Sequence, residues 1–233
     1  DAMFRMIPMT ELQKTAFLSR FGITKSFILY SGGSDARKNI VELLEAYQLL
    51  PENIRTAYDL VILEGRDKTQ YAERYTQDNH IHLIGHLKSE DLITFYNSCE
   101  LFVFPSLEEG FGLTVLEAMR CGAPVIASNA TSLPEVVGLD DALFDPRDPQ
   151  SLKAKLLQVL ENPTFKEKLR SHGMQQQAKF SWDKIAQHTL HVMEALPVHH
   201  AQKPRMAFFS PLPPDQSGIA KYSAELLPAL AEP

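Results

Sequence analysis

The stretch from Phe104 to Gly122, FPSLEEGFGLTVLEAMRCG, constrains this chain more than any other. Leu101–Phe104 is a short, fully apolar run of the kind a buried parallel strand needs. Gly110 and Gly112 then allow a sharp turn and a close approach of backbone to a ligand. An apolar-periodic helix follows, expected to start near Thr114 and to stop at Gly122. Its first N–H groups and positive dipole end face the same crevice as the glycine turn, an arrangement that holds phosphate.

Two carboxylates frame this turn, Glu109 before the first glycine and Glu117 one helical turn past the helix start. A carboxylate beside phosphate repels it, so the task open to both is accepting hydrogen bonds from neutral hydroxyls, as acidic residues do for ribose. A sugar nucleotide carries such hydroxyls at both ends. Solvated loop and helix positions are the ordinary alternative for glutamates, and the strand, glycine turn and helix in sequence argue against it.

A second candidate turn lies upstream. Phe27–Tyr30 reads as an apolar strand, and SGGSDARKNIVELLEAYQLL then opens a helix with Ile40, Leu43, Leu44 and Tyr47 on one face. Gly32 and Gly33 let amides face a ligand. Arg37 and Lys38 put cations at a helix start, where the dipole disfavours them unless an anion is bound. A solvated basic pair is the alternative.

Further strands are expected at Tyr58–Leu63, Ile81–Ile84, Pro124–Ala127 and Ala142–Phe144. Helices are expected at Thr69–Tyr75, after a cap at Ser89, after a cap at Ser132, and over Leu152–Leu160, Phe165–Lys179 and Trp182–Leu196. Strands that alternate with helices imply an α/β fold, a Rossmann-like doubly wound parallel sheet with ligands at the strands' carboxyl ends. His86 follows one such end. His80 and His82 share a strand face, but no third ligand type stands nearby, so no metal is expected.

Organisation follows from composition shifts. Residues 1–25 read as a lead-in segment with a helical run through Leu12, Phe17, Leu18 and Phe21, and 26–196 as the main domain. Residues 197–205 read as a polar, proline-punctuated linker, and 206–233 begin a new strand, proline-rich loop and helix. The 23 Lys plus Arg against 29 Asp plus Glu give a net charge of −6, which argues against nucleic acid as the main partner. Cys99 and Cys121 lack metal or redox spacing and read as reduced core thiols of a cytoplasmic protein. No apolar run reaches the length of a spanning helix, so any membrane contact is expected to be peripheral, at the inner membrane.

The pattern PS(x)2EGFGL(x)3EAM, with seven residues between Glu109 and Glu117, resembles the donor-binding half of the retaining glycosyltransferases of family 4, which have the GT-B fold. The resemblance covers about residues 26–196, and FSW at Phe180–Trp182 also matches, in a helix that crosses the domain cleft in that family. It implies that Glu109 lies by the donor hexose and acts with Lys38 in catalysis. Glu117 would bind the ribose hydroxyls, and backbone around His86, between Gly85 and Leu87, the base. Gly32, Gly33, Arg37, Lys38, Gly110, Phe111, Gly112, Leu113 and Thr114 complete the implied donor site.

In the family the first turn reads glycine-arginine with a lysine five positions on. Lys38 matches the lysine, while Gly33 replaces the arginine, leaving Arg37 as the nearest other cation. By resemblance to mannosyltransferases bearing GGxDxRKN turns, the implied donor is GDP-mannose, with UDP sugars second, and no separate cofactor is implied. The acceptor would be a glycan such as a bacterial surface polysaccharide, held mainly by an acceptor domain ahead of residue 1, and the tail resembles the opening of a second transferase. Two other functions fit the same residues: a GT-B nucleotide-sugar epimerase, and a non-catalytic partner domain, for which Gly33 is the best support.

Overall fold

The computed structural model of the chain describes residues 3–33, 35–64, 78–85, 87–196 and 223–227. The expected helix at Thr69–Tyr75, His86, the linker at 197–205 and most of the tail lie outside these residues; within the tail, residues 223–227 are helical. The chain forms two compact units, residues 1–177 and 178–233.

The first unit is built on six parallel strands: β1 Ser26–Gly32, β2 Tyr58–Glu64, β3 Ile81–Ile84, β4 Leu101–Phe104, β5 Val125–Ser128 and β6 Leu143–Phe144. Their order across the sheet is β3-β2-β1-β4-β5-β6. Register runs from Phe27 against Asp59 between β1 and β2, through Ile28 against Leu101 between β1 and β4. A parallel sheet covered on both faces needs strands apolar on both sides. Phe27, Ile28, Leu29, Tyr30, Leu101, Phe102 and Val103 accordingly expose no surface.

The helices are α1 Glu11–Ser19, α2 Ile40–Gln48, α3 Glu52–Ala57, α4 Ser89–Ser98, α5 Leu113–Arg120, α6 Leu133–Val137, α7 Pro149–Glu161 and α8 Pro163–Gln177. Helix α2 packs on α7, and α5 packs on α8. The expected strands are all present, with bounds that move by one or two residues. Helix α3 is unexpected: its proline cap and six residues are too short to show a period.

Three local expectations need correcting. Leu12 lies outside the buried face of α1, being 79% exposed, while Leu18 is buried and Phe17 and Phe21 meet Phe95 edge-on. Ser89 is the first helical residue of α4, with Lys88 at the cap and no side-chain cap bond. The chain also enters α2 through a separate 3-10 turn, Ala36–Lys38, so Arg37 and Lys38 close that turn and do not start the helix. The charge of Lys38, one residue before the α2 cap, is met by Glu109.

Sheet order places the site. Between β1 and β4 the chain reverses its direction of travel across the sheet, the kind of reversal at whose carboxyl ends open α/β sheets bind ligands. The loop leaving β1 is Gly33–Asn39 and the loop leaving β4 is Pro105–Gly112, the same two turns the sequence singles out.

The second unit contains α9, Trp182–Glu194, capped by Ser181, whose hydroxyl accepts from the Lys184 amide. Its described residues match the expected helix except at the end, where Ala195 is the cap. Trp182 is half-buried.

Candidate donor site at the carboxyl ends of β1 and β4

The first turn is shaped by Tyr30 and Asn39. The Tyr30 hydroxyl donates to the Gly33 carbonyl at 2.8 Å, crossing beneath Gly32, where a Cβ would lie 2.5 Å from that oxygen. Only glycine leaves room there. Among the described residues Gly33 itself has space for a side chain, with Asp35 the sole neighbour of a Cβ there, at 3.8 Å.

Asp35 caps the 3-10 turn by accepting from the Arg37 amide, and also pairs with the Arg37 guanidinium at 3.2 Å. That pair is exposed and contributes little. Asn39 then adopts the left-handed conformation, φ 58°, a region asparagine tolerates better than most residues. Its side-chain amide donates to the Pro105 carbonyl at 3.1 Å and to the Pro146 carbonyl at 2.7 Å. One side chain thereby ties together the loops that leave β1, β4 and β6. The Leu107 amide donates to the Arg37 carbonyl at 2.7 Å and adds a second tie between the β1 and β4 loops.

The second turn ends at Gly112, which caps α5 with φ 107°; a Cβ there would lie 2.9 Å from Leu133 Cδ2. Both conformation and space demand glycine. Gly110 differs, for it lies outside the left-handed region and a Cβ there would meet nothing within 4 Å among the described residues. The sharp turn expected of both glycines thus belongs to Gly112 alone. Helix α5 starts at Leu113, one residue earlier than expected. Val115 and Leu116 already donate to the Gly112 carbonyl, so helix geometry leaves the amides of Leu113 and Thr114 pointing out of the N-terminus.

The loop after β5 braces this turn. The Glu109 amide donates to Thr131 Oγ1 at 3.0 Å, and Ser132 Oγ reaches the carbonyls of Glu109 and Phe111 at 3.1 and 2.8 Å. Ser132 sits at the cap of α6 yet makes no cap bond. The hydroxyl expected to cap a helix instead holds the glycine turn.

Lys38 and Glu109 meet directly. Lys38 Nζ lies 2.6 Å from Glu109 Oε1, with the two side chains only 18% and 14% exposed. The ammonium also lies 5.5 Å from the centroid of the Phe104 ring, itself stacked on Tyr30. Glu117, on α5, is half-buried. Its charge adds to burial in pushing the Tyr96 hydroxyl well above the ordinary phenol range, so Tyr96 stays neutral.

The structure thus brings Gly32, Gly33, Arg37 and Lys38 of one turn together with Glu109, Gly110, Phe111, Gly112, Leu113 and Thr114 of the other, while His86 lies outside the described residues. Asn39, Thr131 and Ser132 were not among the candidates as positioning residues. For Asn39 the signal was present, a single asparagine between a basic pair and an apolar helix. For Thr131 and Ser132 it was not, since their partners lie more than twenty positions away. At the same end of the sheet opens a polar cleft of about 540 Å3 lined by Asn129, Asp140, Asp145 and Ser151, none of them a candidate.

His80 and His82 do share a face, and what they hold is Asp59. Nδ1 of His80 and Nε2 of His82 stand 3.2 and 3.0 Å from its carboxylate oxygens, and Lys25 Nζ lies at 3.7 Å. This cluster is at the amino ends of the strands, away from the two turns. Cys99 and Cys121 are free and buried, and burial pushes the Cys121 thiol up to about 12. Neither is poised as a nucleophile.

A doubly wound parallel sheet with two braced turns at its reversal point, one bearing a lysine and the other opening a helix, defines a Rossmann-like α/β domain. Residues 15–176 match the model of the family described as glycosyl transferases group 1. The chain belongs to that family, and its sheet is the Rossmann-like half of the GT-B fold. It is 42% identical over 174 residues to the serotype-specific mannosyltransferase WbdA of Escherichia coli, covering 72% of this chain and 21% of that protein. Over 196 residues it is 38% identical to the O-antigen chain mannosyltransferase B of Escherichia coli, covering 82% of this chain and 51% of the relative. The chain thus spans about half of one of these relatives and about a fifth of the other. In fold it is similar to Anabaena Alr3699/HepE, solved in complex with UDP-glucose, with a TM-score of 0.69 at 18% identity over 84% of this chain and 55% of that one. Among the described residues no helix is long and apolar enough to cross a membrane.

Proposed function

We propose that this chain is the donor-binding part of a retaining hexosyltransferase that takes mannose from GDP-mannose and passes it to a glycan, of the kind found in bacterial surface polysaccharides. The observation that carries the reading is the pairing of turns at the β1–β4 reversal, with Lys38 on one and the α5 N-terminus on the other. The two mannosyltransferase relatives support the choice of sugar, and the UDP-glucose complex of HepE supports a nucleotide sugar in this fold.

The chemistry follows from the charges. When the bond from the anomeric carbon to the diphosphate breaks, negative charge grows on the leaving phosphate and positive charge on the sugar ring. In this reading Lys38 and the amides of Leu113 and Thr114 stabilise the first. Glu109 serves the sugar end, where its carboxylate accepts from a hexose hydroxyl, and Glu117 accepts from the ribose. The transferase works in the cytoplasm, peripheral to the inner membrane, on an acceptor held mainly by another domain.

Calorimetric titration of the chain with GDP-mannose, GDP and UDP-glucose tests the reading. GDP-mannose should bind tightest, and Lys38→Ala should weaken it about tenfold or more, since a hydrogen bond to a charged group contributes about 1.5 kcal/mol or more. GDP-mannose affinity unchanged by Lys38→Ala overturns the placement.

A further inference from the structure

The contact between Lys38 and Glu109 links two residues whose roles in donor binding are separate, one for phosphate and one for sugar. Both side chains are mostly shielded, and the Phe104 ring face closes one side of the ammonium. Their backbones are held independently of the ion pair. Lys38 lies in a turn fixed by Asp35, by the Arg37 carbonyl on Leu107 and by Asn39; Glu109 is fixed by Thr131 and Ser132. The pair can therefore open by side-chain rotation without moving either loop.

Resting on the donor-site reading above, we propose that Glu109 occupies the phosphate position of Lys38 before ligand arrives, and so makes the site discriminate between a sugar nucleotide and a free nucleoside diphosphate. Any diphosphate must displace the carboxylate from the ammonium. A displaced carboxylate next to phosphate is stabilised only if it finds donors. The hydroxyls of a hexosyl diphosphate are such donors. A nucleoside diphosphate has none at that end and carries more negative charge there, so Glu109 opposes it and recaptures Lys38 when it leaves. The ion pair thereby favours release of the spent nucleotide over release of the donor.

The test is a set of titrations with GDP and GDP-mannose on the wild type, Glu109→Gln, Lys38→Met and the double variant. Glu109→Gln should bind GDP about fivefold tighter, because GDP no longer has to displace a carboxylate from Lys38. Its GDP-mannose affinity should fall or stay level, so the ratio between the two ligands shrinks. In the Lys38→Met background the gain in GDP affinity should shrink, since only the direct repulsion between Glu109 and phosphate is left to remove. GDP binding by Glu109→Gln that is no tighter than wild type, while Lys38→Met still weakens both ligands, overturns the discrimination and leaves the donor site standing. If Lys38→Met alters neither ligand, the donor-site reading itself fails and this one with it. A second measurement needs no variant: a crystal structure of the wild type with GDP should show Lys38 Nζ on phosphate and its contact with Glu109 broken, and an intact contact beside bound GDP overturns the proposal.

Discussion

Asn39 offers the sharpest test of how the site is built, because its two contributions separate by substitution. Its side-chain amide donates to Pro105 and Pro146 carbonyls at 3.1 and 2.7 Å, and its backbone is left-handed at φ 58°. In Asn39→Gly both hydrogen bonds are lost but the conformation is easily kept; at about 1 kcal/mol for each bond the cost is about 2 kcal/mol. Asn39→Ala loses the same bonds and adds the left-handed penalty of a Cβ, about 1 kcal/mol, for a total of about 3 kcal/mol. Asn39→Asp keeps the left-handed preference but turns a donor into an acceptor facing two carbonyls, so it should rank with alanine or below. Urea unfolding of the whole chain followed by circular dichroism gives the order. Equal midpoints for the glycine and alanine variants would show that the conformation carries no cost, and losses under about 1 kcal/mol in both would refute the bracing role.

Three further outcomes follow from other parts of the structure. Gly112→Ala should destabilise the chain by about 2 kcal/mol and impair GDP-mannose binding, because φ 107° and a 2.9 Å approach to Leu133 both resist a Cβ; unfolding and titration at wild-type values contradict this. Glu117→Ala should weaken GDP and GDP-mannose by the same factor, on the order of tenfold, as loss of a ribose contact requires, and unequal losses would place it at the sugar end. Burial pushes the Asp59 carboxyl up, but hydrogen bonds from His82 and His80 and the charge of Lys25 outweigh it, and the group sits below its ordinary value. A lowered folded value means stability present above about pH 4 and lost as pH falls through the folded value, so the deficit of Asp59→Asn at pH 7 should close below about pH 4. A deficit independent of pH, measured by urea midpoints, would falsify that account.

Much of the scaffold was legible because parallel strands buried on both faces leave unbroken apolar runs. Ile81–Ile84 and Leu101–Phe104 have the bounds the sequence suggests. The two candidate turns were legible for the same reason, as glycine-bearing breaks between an apolar run and a periodic helix. What the sequence hides is which distant groups meet. Lys38 and Glu109 are 71 positions apart and read as two separate contacts until the order β1-β4 sets them side by side. His80 and His82 show a shared face, but Asp59 comes from the neighbouring strand, so a structural clasp has the appearance of half a metal site. Ser132 shows a cap, yet its hydroxyl is drawn to the Glu109 and Phe111 carbonyls, where tertiary partners override the local one.

The most direct test of the central claim is a crystal structure of this chain with GDP-mannose. The account predicts the diphosphate between the two turns, within hydrogen-bond distance of Lys38 Nζ and the amides of Leu113 and Thr114, with a mannose hydroxyl on Glu109 and the ribose on Glu117. Nucleotide bound instead in the cleft lined by Asn129, Asp145 and Ser151, or Glu109 still paired with Lys38 and out of reach of the sugar, would contradict it.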